Sequence, residues 1–136
     1  LLLGGFVRKG FPSLYGPLTE HNLGILHVDI LFIGCNGADS ADGFYANDLQ
    51  LLTQLQAMMR IADRIVIVAE SGKFGRKSFV RYARPADIHT LVTDAALPAA
   101  DRQALEEQGM TVLIAESNVS PARGSAETPR HRGSDE

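Results

Sequence analysis

The feature that most restricts the fold is a set of four short apolar runs: Ile30-Leu31-Phe32-Ile33, Ile65-Val66-Ile67-Val68, Leu91-Val92-Thr93 and Thr111-Val112-Leu113-Ile114. Continuous runs rich in branched residues suit strands buried on both faces, as in a parallel sheet. Parallel neighbours require a long crossover, and the sequence offers two helical ones. Behind Asp48, a good N-cap, Leu51, Leu52, Leu55, Met58, Met59 and Ala62 recur at helical spacing over residues 49–62. Ala100, Ala104 and Leu105 share one face over residues 98–108, and Gly109 follows as a helix stop. The expected class is α/β, a Rossmann-like parallel sheet flanked by helices.

The remaining segments are less regular. Between Val68 and Leu91, residues 79–83 are compatible with an edge strand and Arg84-Pro85-Ala86-Asp87-Ile88 with a turn into a helical turn; both readings stay open. At the start, Leu1-Leu2-Leu3 reads as the end of a strand, with Phe6-Val7-Arg8 pairing to it across Gly4-Gly5, and residues 17–26 as a short helix with Pro17 in its first turn. Residues 117–136 hold Ser, Pro, Gly, Arg and acids with almost nothing apolar, so burial cannot offset the entropy of ordering them. The expected organisation is one partial domain over residues 1–116 and a disordered tail over residues 117–136.

Several functions are excluded by bulk properties. A net charge of -3 and a pI near 5.8 give no basic field for gripping phosphate backbone, so DNA binding would have to come from elsewhere. The single Cys35 cannot close an intramolecular disulfide, and no apolar run reaches membrane-spanning length, which suits a cytoplasmic protein. The opening Leu run is too short for a signal peptide. No metal site is expected: Asp39, Asp42 and Asp48 alternate with Ala41 and Gly43 where a calcium loop needs ligands. His21, His27, His89 and His131 lack ligand spacing, and His27 reads as a cap at a helix C-terminus. No cofactor motif is present.

In an open parallel sheet, ligands bind beyond the carboxyl ends of the strands, where loops and unsatisfied N–H groups gather. The loops to read are therefore Gly34-Cys35-Asn36-Gly37-Ala38-Asp39, Glu70-Ser71-Gly72-Lys73-Phe74-Gly75 and Thr93-Asp94. Lys73 offers a positive charge, Ser71 a hydroxyl and Gly72 an unobstructed N–H for a phosphate. Asn36 and Asp39 accept protons from sugar hydroxyls, while Gly34 and Gly37 let backbone approach a ligand. The competing reading is that all of these are ordinary turn residues.

The succession Leu2-Leu3-Gly4-Gly5, Ser13-Leu14-Tyr15-Gly16-Pro17-Leu18, Phe32-Ile33-Gly34-Cys35-Asn36-Gly37-Ala38-Asp39, Gly43-Phe44 and Ala69-Glu70-Ser71-Gly72-Lys73-Phe74-Gly75 resembles the sensor domain of DeoR-type transcription regulators. Thr90-Leu91-Val92-Thr93-Asp94 continues the likeness, which runs from Leu1 to about Glu116. The resemblance implies a fold like that of the ribose-5-phosphate isomerase and CoA-transferase group, used to bind a phosphorylated sugar that relieves DNA binding. It implies a homo-oligomer when full-length, a missing helix-turn-helix head, and a missing first half of the sensor. Three departures stand out. Glu70 replaces the usual Asp and Gly72 the usual second Ser, while the helix after Asp48 lacks the family's acid, alanine and lysine. Two other classes compete. One is an isomerase-like enzyme fragment, suggested by Asn36-Gly37-Ala38-Asp39, though its first acid is here Asn36 and no loop leading to a catalytic glutamate follows. The other is an oligomerisation module. The expectation is a sensor and not an enzyme.

Overall fold

The computed structural model describes residues 1–7, 9–10 and 13–116. Its centre is a four-stranded sheet made of β3 (Val28–Ile33), β6 (Ala62–Val68), β8 (Thr90–Thr93) and β9 (Thr111–Ile114), all parallel and in that spatial order. The four apolar runs are thus four adjacent strands. The proposed tail over residues 117–136 lies outside the described residues, as do Arg8, Phe11 and Pro12.

Two crossovers are helical. Asp48 accepts the Gln50 N–H at 2.9 Å and starts a 3-10 turn, Leu49–Leu51, which leads into α2 (Leu52–Arg60). The helix stops short of Ala62 because the Ile61 carbonyl accepts the Val28 N–H at 2.9 Å, and strand pairing takes over from there. The second is α3 (Ala99–Glu107), ended as expected at Gly109, whose φ of 90° suits glycine. The crossover from β6 to β8 uses no long helix. It runs through β7 (Val80–Ala83) and a 3-10 turn, Pro85–Asp87, so both readings of that segment hold.

β7 belongs to a second, antiparallel sheet with β4 (Gly37–Asp39) and β5 (Gly43–Ala46), in the order β4-β5-β7. This sheet corrects one expectation: the second half of the loop after β3 is a strand. The two sheets share one core, in which Phe44, Ile67, Leu91 and Leu105 are fully buried and Leu52, Leu55, Met58 and Met59 of α2 pack on it.

The N-terminal expectation is also corrected. Leu1 to Leu3 form no strand; β1 (Phe6–Val7) pairs antiparallel with β2 (Leu14–Tyr15) instead. The opening segment is held by the buried Thr19, whose hydroxyl donates to the Gly4 carbonyl at 2.7 Å. Helix α1 (Pro17–Leu23) follows, shorter than expected because Gly24 ends it.

Candidate functional site

Parallel pairing brings the three expected loops to one edge, because Ile33 stands beside Ile67 and Val68 beside Val92. Past these ends, the Ala69 N–H donates to the Val92 carbonyl at 3.1 Å. The loop after β6 then turns through a short 3-10 segment, Ser71–Lys73, against the end of β8.

Asp94 fixes that turn. Its carboxylate accepts the Ser71 N–H and the Ser71 hydroxyl, each at 2.7 Å, and the Ala96 N–H at 3.0 Å. These donors, the Ser71 N–H first, hold the carboxyl of Asp94 down at about 2. Ser71 therefore has its only hydroxyl proton engaged with Asp94 and acts here as a positioning group for the loop. Asp94 was placed on this edge by the sequence but not singled out; an acid directly after a strand on the binding edge was the available signal.

The groups left facing outward are Gly72 and Lys73. Gly72 is exposed, and a Cβ built on it meets nothing within 4 Å. Lys73 is partly exposed and pairs with Glu70 at 3.3 Å. An exposed pair of this kind is worth only ~0–1 kcal/mol, so Lys73 gives up Glu70 for another partner at little cost. Lys73 also reaches the loop after β3: its charge lowers the pKa of the Cys35 thiol, although burial dominates and raises it to about 11. Such a thiol is not a nucleophile near neutral pH.

Residues of the first loop divide into two groups. Gly34 and Asn36 are exposed at the edge. The Gly34 carbonyl accepts the buried Tyr82 hydroxyl at 2.8 Å, and Asn36 Oδ1 accepts the Asn47 N–H at 3.2 Å. Gly37 is buried in β4, and a Cβ there would stand 2.3 Å from the Arg76 carbonyl oxygen. Its missing side chain lets two protein segments approach each other. Asp39 lies at the far end of β4, where it accepts the Ala41 and Asp42 N–H groups at 3.0 and 2.9 Å and faces Lys77 at 3.5 Å.

Beside Asp39 sits a charged knot that sequence reasoning missed. Asp42 accepts from Lys77 at 3.0 Å and from the Tyr45 hydroxyl and Arg81 guanidinium at short range. The Tyr45 and Lys77 bonds lower the Asp42 carboxyl to about 2, while the same partner raises Tyr45 and Lys77. A cleft of about 520 Å³ is lined by Gln56, Met59, Arg60, Ile65, Tyr82 and Asp87. Tyr82 links this cleft to the loop edge through its bond to the Gly34 carbonyl. Strand-end geometry favours the loops, because ligands of open parallel sheets bind beyond the carboxyl ends of the strands.

Comparison with known proteins now adds to this geometry. The family model described as the DeoR C terminal sensor domain matches residues 1–95. The chain is 33% identical over 112 residues to the HTH-type transcriptional regulator GlpR of Haloferax volcanii, covering 82% of this chain and 44% of that one. It is 29% identical over 114 residues to the putative aga operon transcriptional repressor of Escherichia coli O157:H7, covering 84% of this chain and 42% of that one. It is 27% identical over 114 residues to the L-fucose operon activator of Haemophilus influenzae, covering 83% and 46%. The chain thus spans under half the length of these relatives.

Proposed function

The chain belongs to the family of DeoR C-terminal sensor domains, and from that premise we propose that it is the effector-sensing part of a transcription regulator of sugar metabolism. A phosphorylated sugar binds at the carboxyl edge of the parallel sheet and relieves DNA binding by a helix-turn-helix head outside these residues. Two relatives carry operon names, and one of these names L-fucose. The regulator works in the cytoplasm as a homo-oligomer; among the described residues no helix is long and apolar enough to cross a membrane.

The observation that carries this reading is the fixed loop after β6. Asp94 holds Ser71, and the turn so set leaves Gly72 and Lys73 outward on the edge that Gly34 and Asn36 share. The phosphate takes Lys73 and the backbone at Gly72, and the sugar hydroxyls face Asn36, with Asp39 at the outer end. This is binding chemistry. The chain is a sensor domain and not an enzyme, and Asn36 stands where an isomerase would need an acid.

The test is calorimetric titration with a panel of phosphorylated sugars and their unphosphorylated counterparts at matched salt. Lys73→Ala is expected to weaken the phosphorylated ligand roughly tenfold to a hundredfold, the loss of a charge-assisted contact worth about 1.5–3 kcal/mol. Without ligand its melting temperature should barely move, because Lys73 makes only an exposed pair. Equal affinities in parent and variant would make Lys73 a bystander.

A further inference from the structure

The amino ends of β3 and β6 carry a separate group of side chains, on the rim opposite the effector loops. The parallel register sets Val28 against Ala62 and Ile30 against Arg64. Asp29 and Asp63, the intervening residues, therefore stand side by side on the same face of neighbouring strands. His27 precedes β3, and its Nε2 lies 3.2 Å from Oδ2 of Asp63. One ligand atom from each of His27, Asp29 and Asp63 falls within 4.8 Å of the other two, and all three residues are exposed.

Two carboxylates directly opposite each other on paired strands repel. Among the described residues, neither Asp29 nor Asp63 has a lysine or arginine partner. The expected cap role of His27 does not hold, because α1 ends at Leu23. The imidazole instead leans on the acidic pair.

We propose that His27, Asp29 and Asp63 form a divalent transition-metal site, with the remaining positions open to water. One imidazole nitrogen and two carboxylate oxygens make a mixed donor set suited to Zn²⁺, Co²⁺ or Mn²⁺, whereas Ca²⁺ and Mg²⁺ prefer oxygen alone. Three ligands on one side of the ion form an open face of the kind that metals of this group accept. The ion places positive charge between carboxylates that otherwise repel, and it ties β3 to β6 at their amino ends. Taking it up exchanges the His27–Asp63 hydrogen bond for two metal bonds and releases any shared proton. Spacing along the chain concealed the site because two ligands precede and follow Val28 while the third lies on the neighbouring strand.

The test is titration of the untagged chain with Co²⁺, read by visible absorption, and with Zn²⁺, read by calorimetry, at neutral pH. One equivalent should bind. His27→Ala and Asp29→Asn should each weaken binding by more than about tenfold, at least the ~10–100-fold that outer-shell changes cost. Cys35→Ser and His131→Ala should leave it unaltered. Asp29→Asn has a second readout of opposite sign: without ion it should melt no lower than the parent, since a repulsion is removed. With Zn²⁺ it should lack the rise in Tm that the parent shows. No binding of either ion at millimolar concentration, or undiminished binding in both ligand variants, would overturn the proposal. So would an ion-free Asp29→Asn protein that melts well below the parent.

Discussion

Gly37 and Gly72 look alike as sequence, each a glycine in a loop expected to approach a ligand, yet the structure gives their alanine variants opposite consequences. At Gly37 the added Cβ meets the Arg76 carbonyl oxygen at 2.3 Å, with the Arg76 carbonyl carbon and the Ser78 nitrogen both at 3.2 Å. All three are backbone atoms that no side-chain rotation can clear. β4 must move away from residues 76–78, and the Ala38–Arg76 bridge between these segments opens. Overpacking of this kind costs about 1–3 kcal/mol. For a chain of this size that lowers Tm by roughly 3–15 °C. At Gly72 a Cβ meets nothing within 4 Å and the backbone is not left-handed, so Gly72→Ala should match the parent or gain up to about 1 kcal/mol from a stiffer unfolded chain. That same methyl group would occupy the space over the loop where the phosphate is proposed to sit. Thermal melts followed by circular dichroism, with sugar-phosphate titrations of both variants, separate the two roles. A Gly37→Ala protein as stable as the parent would refute the packing argument. A Gly72→Ala protein that binds sugar phosphates undiminished would refute the placement of the phosphate.

Three further outcomes are expected. The Asp94 carboxyl is held at about 2 in the folded chain against an ordinary 3.8, so its contribution is fully present above pH ~4 and is lost as pH falls toward 2. Asp94→Asn should accordingly melt below the parent at pH 7, with the gap closing on acidification; a gap constant with pH would contradict this. The Cys35 thiol, raised to about 11 by burial, should react slowly with alkylating reagents at pH 8 and rapidly in denaturant, and Lys73→Ala should slow it further by removing a charge that lowers it. Phe32 is 67% exposed beside the open Ile30, so Phe32→Ser should weaken the proposed homo-oligomer in sedimentation without lowering Tm by more than a degree or two; an unchanged sedimentation profile would exclude this face from the oligomer contact.

What could be read in advance follows from whether the signal was local. Strands β3, β6, β8 and β9 and helices α2 and α3 came from apolar runs, period and caps, all carried within each segment. The β4–β5 hairpin did not, because Gly37-Ala38-Asp39 has the composition of a turn. Its pairing with Gly43-Phe44-Tyr45 depends on Gly43, at φ 134°, and on Phe44 being fully buried in the shared core. The site shows the same division. Lys73 and Gly72 were legible as a lysine and a glycine after a strand, whereas the Ser71–Asp94 pair joins residues 23 apart, and the knot around Asp42 draws on Lys77 and Arg81 from another part of the chain.

One property of the sheet was beyond any reading of period. The strands run in the single order β3-β6-β8-β9, so each crossover moves the same way across the sheet, and right-handed crossovers that move one way lie on one face. α2, α3 and the antiparallel sheet accordingly pack together on the face that carries Ile33, Ile65, Ile67, Leu91 and Val112. The other face presents Ile30, Phe32, Val68 and Leu113 in register, each at least 47% exposed, and β3 has no neighbour among the described residues on its outer edge. The sequence spells both faces with the same branched residues because a parallel strand is built to be covered twice. Chain winding in the opposite sense from β3 would cover the second face, since reversing the direction of travel moves a right-handed crossover to the other side. The apolar residues on that face are thus left without a covering layer among the described elements.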